Sequence, residues 1–380
     1  MTANSFRSWF RKLIGQSRVC PRKYLRTILY VDGSHLIRIA YQREFTSPCA
    51  IAQYIACFID HSLDIFKNEY EILHVKVYFD GILPTARLVR HAHRMRTTLY
   101  PIVGTTRVAE VLAYLKQYYP RHHYYTSTPG EATMQIVNAV INDVTTYPLI
   151  CASEIPIMGG LIFRHHYRAS IYDPLARRPF TLQTFLHYCY QYDSENRTSH
   201  GVARDFIFLT TFMGSELIPL NPYITNPLKL FKAIWSRYQL LIKSDRSYLL
   251  DSHNMINWRS YFKLLQIIMY IEETFLIAAK PSDVPLGIYL TQWYPRDTVP
   301  MNTRCNDYLQ YLQWVIHYYS NQTSNLEMYY PLEMIPTIHH LYLYLNRRSV
   351  IPTTIPTPLL PIVYNESQLN AVNTPFVVQP

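Results

Sequence analysis

The sequence predicts an α/β fold, a mostly parallel sheet flanked by helices, with a largely helical C-terminal half. Three observations predict the sheet. Thr27 to Val31, TILYV, is an unbroken apolar run that ends in Asp32. Val77-Tyr78-Phe79 is a second such run and ends in Asp80. Between them, after Gly33, His35 to Tyr41 reads as a helix start. An unbroken apolar run fits a strand buried on both faces. Strand, helix, strand is a βαβ unit, which makes neighbouring strands parallel. Both aspartates then stand at the same edge of the sheet, at the strand C-termini, where open α/β sheets build their sites.

The remaining elements follow in chain order. Ser5 to Ile14 suits an amphipathic helix, with Phe6, Trp9, Phe10 and Leu13 opposite Arg7, Arg11 and Lys12. Beyond Asp80 and Pro84, a helical run sets Arg87, Arg90 and Arg94 on one face, a shape suited to phosphate. Thr106 to Tyr119 reads as a helix, and Arg121 to Tyr125 as a polar-aromatic patch. Pro129-Gly130 opens a helix from Glu131 to Val144, with Glu131 in the first turn, where the helix dipole favours an anion. Pro148 to Ile162 reads as a strand and loop around Gly159-Gly160. Phe206 to Met213 is another fully buried run, closed by Gly214-Ser215-Glu216. Leu228 to Leu241, Trp258 to Ala278 and Tyr308 to Tyr319 read as helices. The expected organisation is a core over residues 1–220, a helical region over 221–348 packed on it, and an extended proline-rich tail over 349–380.

Composition narrows the function classes. The chain has 380 residues and is 49% apolar, enough for a large core. Lys and Arg outnumber Asp and Glu by 36 to 26, a net charge of +10 that points to a polyanion partner. Six scattered cysteines form no CxxC pair, which argues against a zinc knuckle and for a reducing, intracellular compartment. No unbroken apolar run approaches a membrane span, and the basic N-terminus lacks a signal-peptide core. The paired histidines His122-His123 and His165-His166 would point to opposite faces of a strand, which argues against a metal pair. Most of the 34 tyrosines fall at helical spacings and read as core.

Four acids close buried runs or open a helix: Asp32, Asp80, Glu131 and Glu216. Phosphodiester hydrolysis with Mg²⁺ or Mn²⁺ needs several carboxylates converging on the ions. Each acid alone also suits a helix cap or turn.

These residues carry a resemblance. ILYVDGSHLIR, YFDGILPTARLVRHAHRMR, PGEATMQI and FIFLTTFMGSELIPLNP resemble, in order, the acidic motifs of the Xrn family of 5′→3′ exoribonucleases, within the flap-type 5′-nuclease superfamily. SFRSWFRKLI is similar to that family's opening helix, and YLQWVIHYYSNQTSNLEMYYPLEMIP to its second conserved region. The matches span about residues 5 to 345. The resemblance implies Asp32, Asp80, Glu131 and Glu216 as catalytic metal ligands, with Glu154 as a substitute ligand. It implies a pocket for a 5′ monophosphate at Arg87 and Arg94, which share their face with the candidate contact Arg90, and Arg38 in place of a pocket histidine. The chain also departs from the family. Thr133, Ser153 and Ile155 stand where the family has acids, and Leu326 and Met328 where it has stacking tryptophans. Two readings follow. One is an RNA-binding protein of this fold, with weak or lost catalysis, serving in a larger assembly. The other is an active Mg²⁺- or Mn²⁺-dependent exoribonuclease on 5′-monophosphorylated single-stranded RNA. Neither calls for a membrane; a membrane-surface protein using the basic N-terminus is a third class.

Overall fold

The computed structural model describes residues 3–14, 25–81, 83–84, 86–87, 105–126, 130–143, 146–172, 174, 179–192, 199–215, 217–219, 224–245, 247–280, 282–285, 288–289, 299–320, 328–332 and 334–347. The expected tail, Glu216, Arg90, Arg94 and Leu326 lie outside them. The chain divides into two compact units. Among described residues, 25–184 belong to one, and 3–14 with 185–347 to the other.

The first unit is built on a six-stranded sheet in the order β3-β2-β1-β4-β5-β6. Its strands are β1 (Leu25–Asp32), β2 (Tyr70–Tyr78), β3 (His123–Tyr125), β4 (Leu149–Cys151), β5 (Ser170–Tyr172) and β6 (Phe180–Thr181). All pairings are parallel except β5 with β6. The expected parallel sheet is therefore present, and Asp32 faces Tyr78 in the register of β1 with β2. That register puts Asp32 and Asp80 on neighbouring strands at one edge. The polar-aromatic patch at 121–125 includes the sheet's edge strand, β3.

The helices of this unit, with α1 (Ala3–Leu13) reserved for the other, are α2 (Gly33–Gln42), α3 (Pro48–Phe66), α4 (Thr105–Tyr118), α5 (Ala132–Asn142) and α6 (Glu154–Phe163). Leu29, Val31 and Val77 of the strands, with Phe79 just after β2, pack with Leu36, Ile55, Ile59 and Val111 of the helices in one buried cluster. Although polar residues interrupt it, α3 is long and apolar enough by length and composition to cross a membrane. Its Ile51, Ala52, Ile55, Ile59 and Phe66 belong to that same cluster.

The reading of 148–162 as strand and loop is corrected to β4 followed by α6. Gly159 and Gly160 are buried inside this helix. Packing overrides propensity here: a Cβ on Gly160 would come within 2.6 Å of a methyl of Val137 on α5, so only glycine lets the two helices approach.

The second unit is helical. It holds α1, most of α7 (Leu182–Tyr190), α8 (Ser199–Leu209), α9 (Pro227–Asp245), α10 (Trp258–Ala279), α11 (Met301–Tyr319) and α12 (Ile338–Arg347). The buried run at 206–213 is the end of α8 and a 3-10 turn, Thr210–Met213. A short apolar run has no period that separates buried helix from buried strand. Aromatic rings fill the core, as the tyrosine spacing predicts. Phe206 meets Trp235 at 4.9 Å and Phe231 at 5.3 Å between ring centres, and Phe10 of α1 packs on Phe185 and Phe206. Tyr238, Tyr261, Tyr308 and Tyr311 are fully buried. Met328 is buried too, as an apolar side chain in the position expected to lack a stacking ring.

Candidate functional site

The C-terminal edge of the sheet gathers the acids by topology. Asp32 ends β1, and Asp80 follows β2 by two residues. Glu154 follows β4 by three and opens α6, where it is buried. Glu131 precedes α5 at its N-cap position. Gly130 just before it has φ of 105°, a left-handed conformation that glycine adopts freely. Gln135 fixes this turn: its Nε2 donates to the carbonyls of Phe79 and Gly130, both at 3.0 Å. The strand end and the helix start are thereby held together.

Each acid is engaged by the protein. Asp32 is 1% exposed. Its Oδ1 accepts the His35 N–H at 2.8 Å, capping α2, and its Oδ2 accepts the Thr133 hydroxyl at 3.0 Å. Asp80 Oδ1 accepts the Ala132 N–H at 2.8 Å, so this carboxylate caps α5 from outside the helix. The Asp80 backbone N–H donates to the Ser34 hydroxyl at 2.8 Å. Two carboxylates at helix N-termini gain from both the unpaired N–H groups and the helix dipoles.

Glu131 meets a cation. Arg87 is 2% exposed. Its Nη1 lies 2.7 Å from Glu131 Oε2, and its Nη2 lies 3.8 Å from Asp80 Oδ2. Glu131 therefore makes an ion pair where its position would favour a side-chain cap. The expected row of phosphate-facing arginines is altered by this: Arg87 points into the acids. Arg90 and Arg94 lie outside the described residues, as does Glu216.

Burial pushes the Asp32 carboxyl up to about 6, and the Asp80 charge pushes the same way. The Arg38 guanidinium opposes this most, followed by the His35 N–H and Arg87. Arg38, on α2, thus acts on the acid cluster. The folded-state pKa of Asp32 lies above its unfolded value of about 4. Its stabilising contribution is complete below about pH 4 and is lost as pH rises through about 6. Urea unfolding between these limits should therefore show stability declining with pH. Asp32→Asn should remove a share of that slope of about 3 kcal/mol in total, roughly two pK units. An identical slope in the variant would rule Asp32 out as its source.

The described residues of this arrangement do not by themselves make a divalent-metal centre. Among the described residues, no three His, Cys, Asp or Glu side chains are grouped to hold a metal ion. The donor set explains why. Oxygens of Asp32, Asp80 and Glu131 face N–H, O–H and guanidinium donors, which repel a cation. The implied Mg²⁺ or Mn²⁺ would have to displace Arg87 first.

The sequence missed the partners rather than the acids. Thr133 was legible only as a missing carboxylate, yet its hydroxyl is the hydrogen-bond donor to Asp32. Ser34, directly after Asp32-Gly33, was a polar signal within the same motif.

No protein-family model and no curated protein matches the chain. Solved structures do show a likeness. One is the T5 D15 protein co-crystallised with metal ions, at 13% identity and TM-score 0.35, covering 78% of this chain and 100% of that one. Another is the T5 5′-exonuclease with bound zinc, at 13% identity and TM-score 0.35, covering 71% and 98%. A third is the catalytic core of Rad2 in complex with a DNA substrate, at 13% identity and TM-score 0.39, covering 79% and 94%. The architecture itself stands on the strand order and register.

Proposed function

We propose that this protein binds the 5′ ends of single-stranded RNA on an Xrn-like core and hydrolyses them weakly or not at all. One observation carries the reading: the buried Arg87 guanidinium occupies the acid cluster, against Glu131 and beside Asp80. Metal-assisted hydrolysis depends on carboxylates open to ions that activate water and stabilise the leaving oxygen. Here an internal cation already balances that charge. Thr133, Ser153 and Ile155, in positions where the resembling family has acids, lower the ligand count further.

The net charge of +10 supports a nucleic-acid partner. Arg90 and Arg94 are the proposed phosphate contacts. Their loss by substitution to alanine should lower the log-log salt slope of RNA binding by about 0.7 per contact. The proposal includes service in a larger assembly and an intracellular location. Supporting the location, Cys49, Cys57, Cys151, Cys189 and Cys305 form no disulfide.

The deciding assay uses 5′-monophosphorylated single-stranded RNA with Mg²⁺ or Mn²⁺. Binding without turnover is expected. Processive decay that disappears in Asp80→Ala would sink the binding-only reading in favour of an active exoribonuclease. No RNA binding at all would sink both.

A further inference from the structure

Beside the edge strand β3, Lys116, Pro120, His122, His123, Tyr124 and Tyr125 line a cleft of about 260 Å³. Ligand pockets usually measure roughly 300–1,000 Å³, so this one is of a size for a single small planar group.

One wall is set in place before any ligand arrives. The Tyr125 ring is 36% exposed and stacks on Tyr78, with 4.7 Å between centres and 14° between planes. Tyr78 is buried and stacks in turn on Tyr30 at 6.4 Å. Tyr30 is fully buried, and its hydroxyl donates to Asp143 Oδ2 at 3.1 Å. Three rings on three adjacent strands thus anchor an exposed ring to the core. A ring held this way loses little freedom on binding. Among the exposed large side chains, Tyr125 is a tyrosine that the core does not absorb.

The charge of the cleft is one-sided. Lys116, exposed in the last turn of α4, makes no ion pair among the described residues. Arg121 is paired with Asp60. Burial, and then Arg121, push the His122 imidazole down, against the pull of Asp60. No acid lines the cleft. An anchored aromatic ring, hydrogen-bonding imidazoles and one unpaired ammonium match a base with its phosphate.

We infer that this cleft takes one nucleobase of a single-stranded nucleic acid, stacked at Tyr125, with the adjoining phosphate on Lys116. The inference rests on the RNA-binding reading above and deepens it. Tyr125 pairs with Tyr78 in the register of β3 with β2, and Tyr78 stands two residues before Asp80.

The test is fluorescence anisotropy with a labelled single-stranded uridine octamer and the same octamer without bases. The intact protein should prefer the base-bearing octamer. Tyr125→Leu should weaken that octamer roughly 5- to 100-fold and abolish the preference. Lys116→Gln should weaken both and lower the salt slope by about 0.7. Lys116 is exposed, so this variant decides the matter if Tyr125→Leu melts early. Wild-type binding that neither variant alters overturns the cleft and leaves the RNA-binding reading intact. No wild-type binding to either octamer overturns both.

Discussion

Replacing Arg87 with methionine should lower stability at pH 7 by about 3–5 kcal/mol, the range for removing one partner of a buried ion pair. The size follows from burial. The Arg87 side chain is 3% exposed, Glu131 8% and Asp80 18%. Methionine keeps much of the stem volume, so the loss reports charge more than packing. It removes the guanidinium that lies 2.7 Å from the buried Glu131 carboxylate. Adding Glu131→Gln to Arg87→Met should restore a large part of the loss, because the carboxylate that lost this partner goes with it. Urea unfolding of the two single variants and the double variant measures the coupling. A coupling near zero would falsify the pairing. The same series carries a functional readout. If Arg87 stands in for metal charge, Arg87→Met should bind Mn²⁺ more tightly than the intact protein in calorimetry.

A comparable loss should follow Asp205→Ala in the helical unit, about 4 kcal/mol. Asp205 lies on α8 and is fully buried. Its Oδ2 accepts the Leu249 N–H at 2.7 Å and the Tyr238 hydroxyl at 2.7 Å, and its Oδ1 accepts the Leu250 N–H at 3.0 Å. One carboxylate thus ties α8 to α9 and to the turn that closes with the bridge between Leu250 and Ile256. Burial pushes the carboxyl up to about 7, against the pull of these donors. Alanine leaves two buried N–H groups without an acceptor, each worth about 1–3 kcal/mol. Tyr238→Phe, which removes one donor, should cost only about 1–2 kcal/mol. Amide exchange at Leu249 and Leu250 separates the effects. It should accelerate in Asp205→Ala far beyond what Tyr238→Phe produces. Equal protection in both variants would show that the carboxylate does not hold the turn.

The sequence alone determined the sheet and its working edge. The runs ending in Asp32 and Asp80 are local signals: an apolar stretch, a turn after Gly33, a helical period. Local signals with a helical connection allow few topologies, and the parallel register of β1 with β2 follows from them. The helices at 105–118 and 258–279 were legible for the same reason, and so was the part of the helix at 301–319 from Tyr308 onward, since each carries an amphipathic period.

Tertiary structure decided what surrounds the acids. The sequence shows a carboxylate and an arginine as charges but not whether they meet. Thr133 reaches Asp32 across 101 residues, and Gln135 reaches Phe79 across 56. Whether an acid meets an ammonium, a hydroxyl or a metal is set by distances of about 3 Å, which no spacing rule along the chain fixes. The same limit explains α6, whose glycines mark a close helix approach rather than a loop. It also explains the run at 206–213, where burial erased the period that separates helix from strand. The acid positions were therefore a property of the sequence, and their pairing with Arg87 a property of the fold, because charge compensation acts through space rather than along the chain.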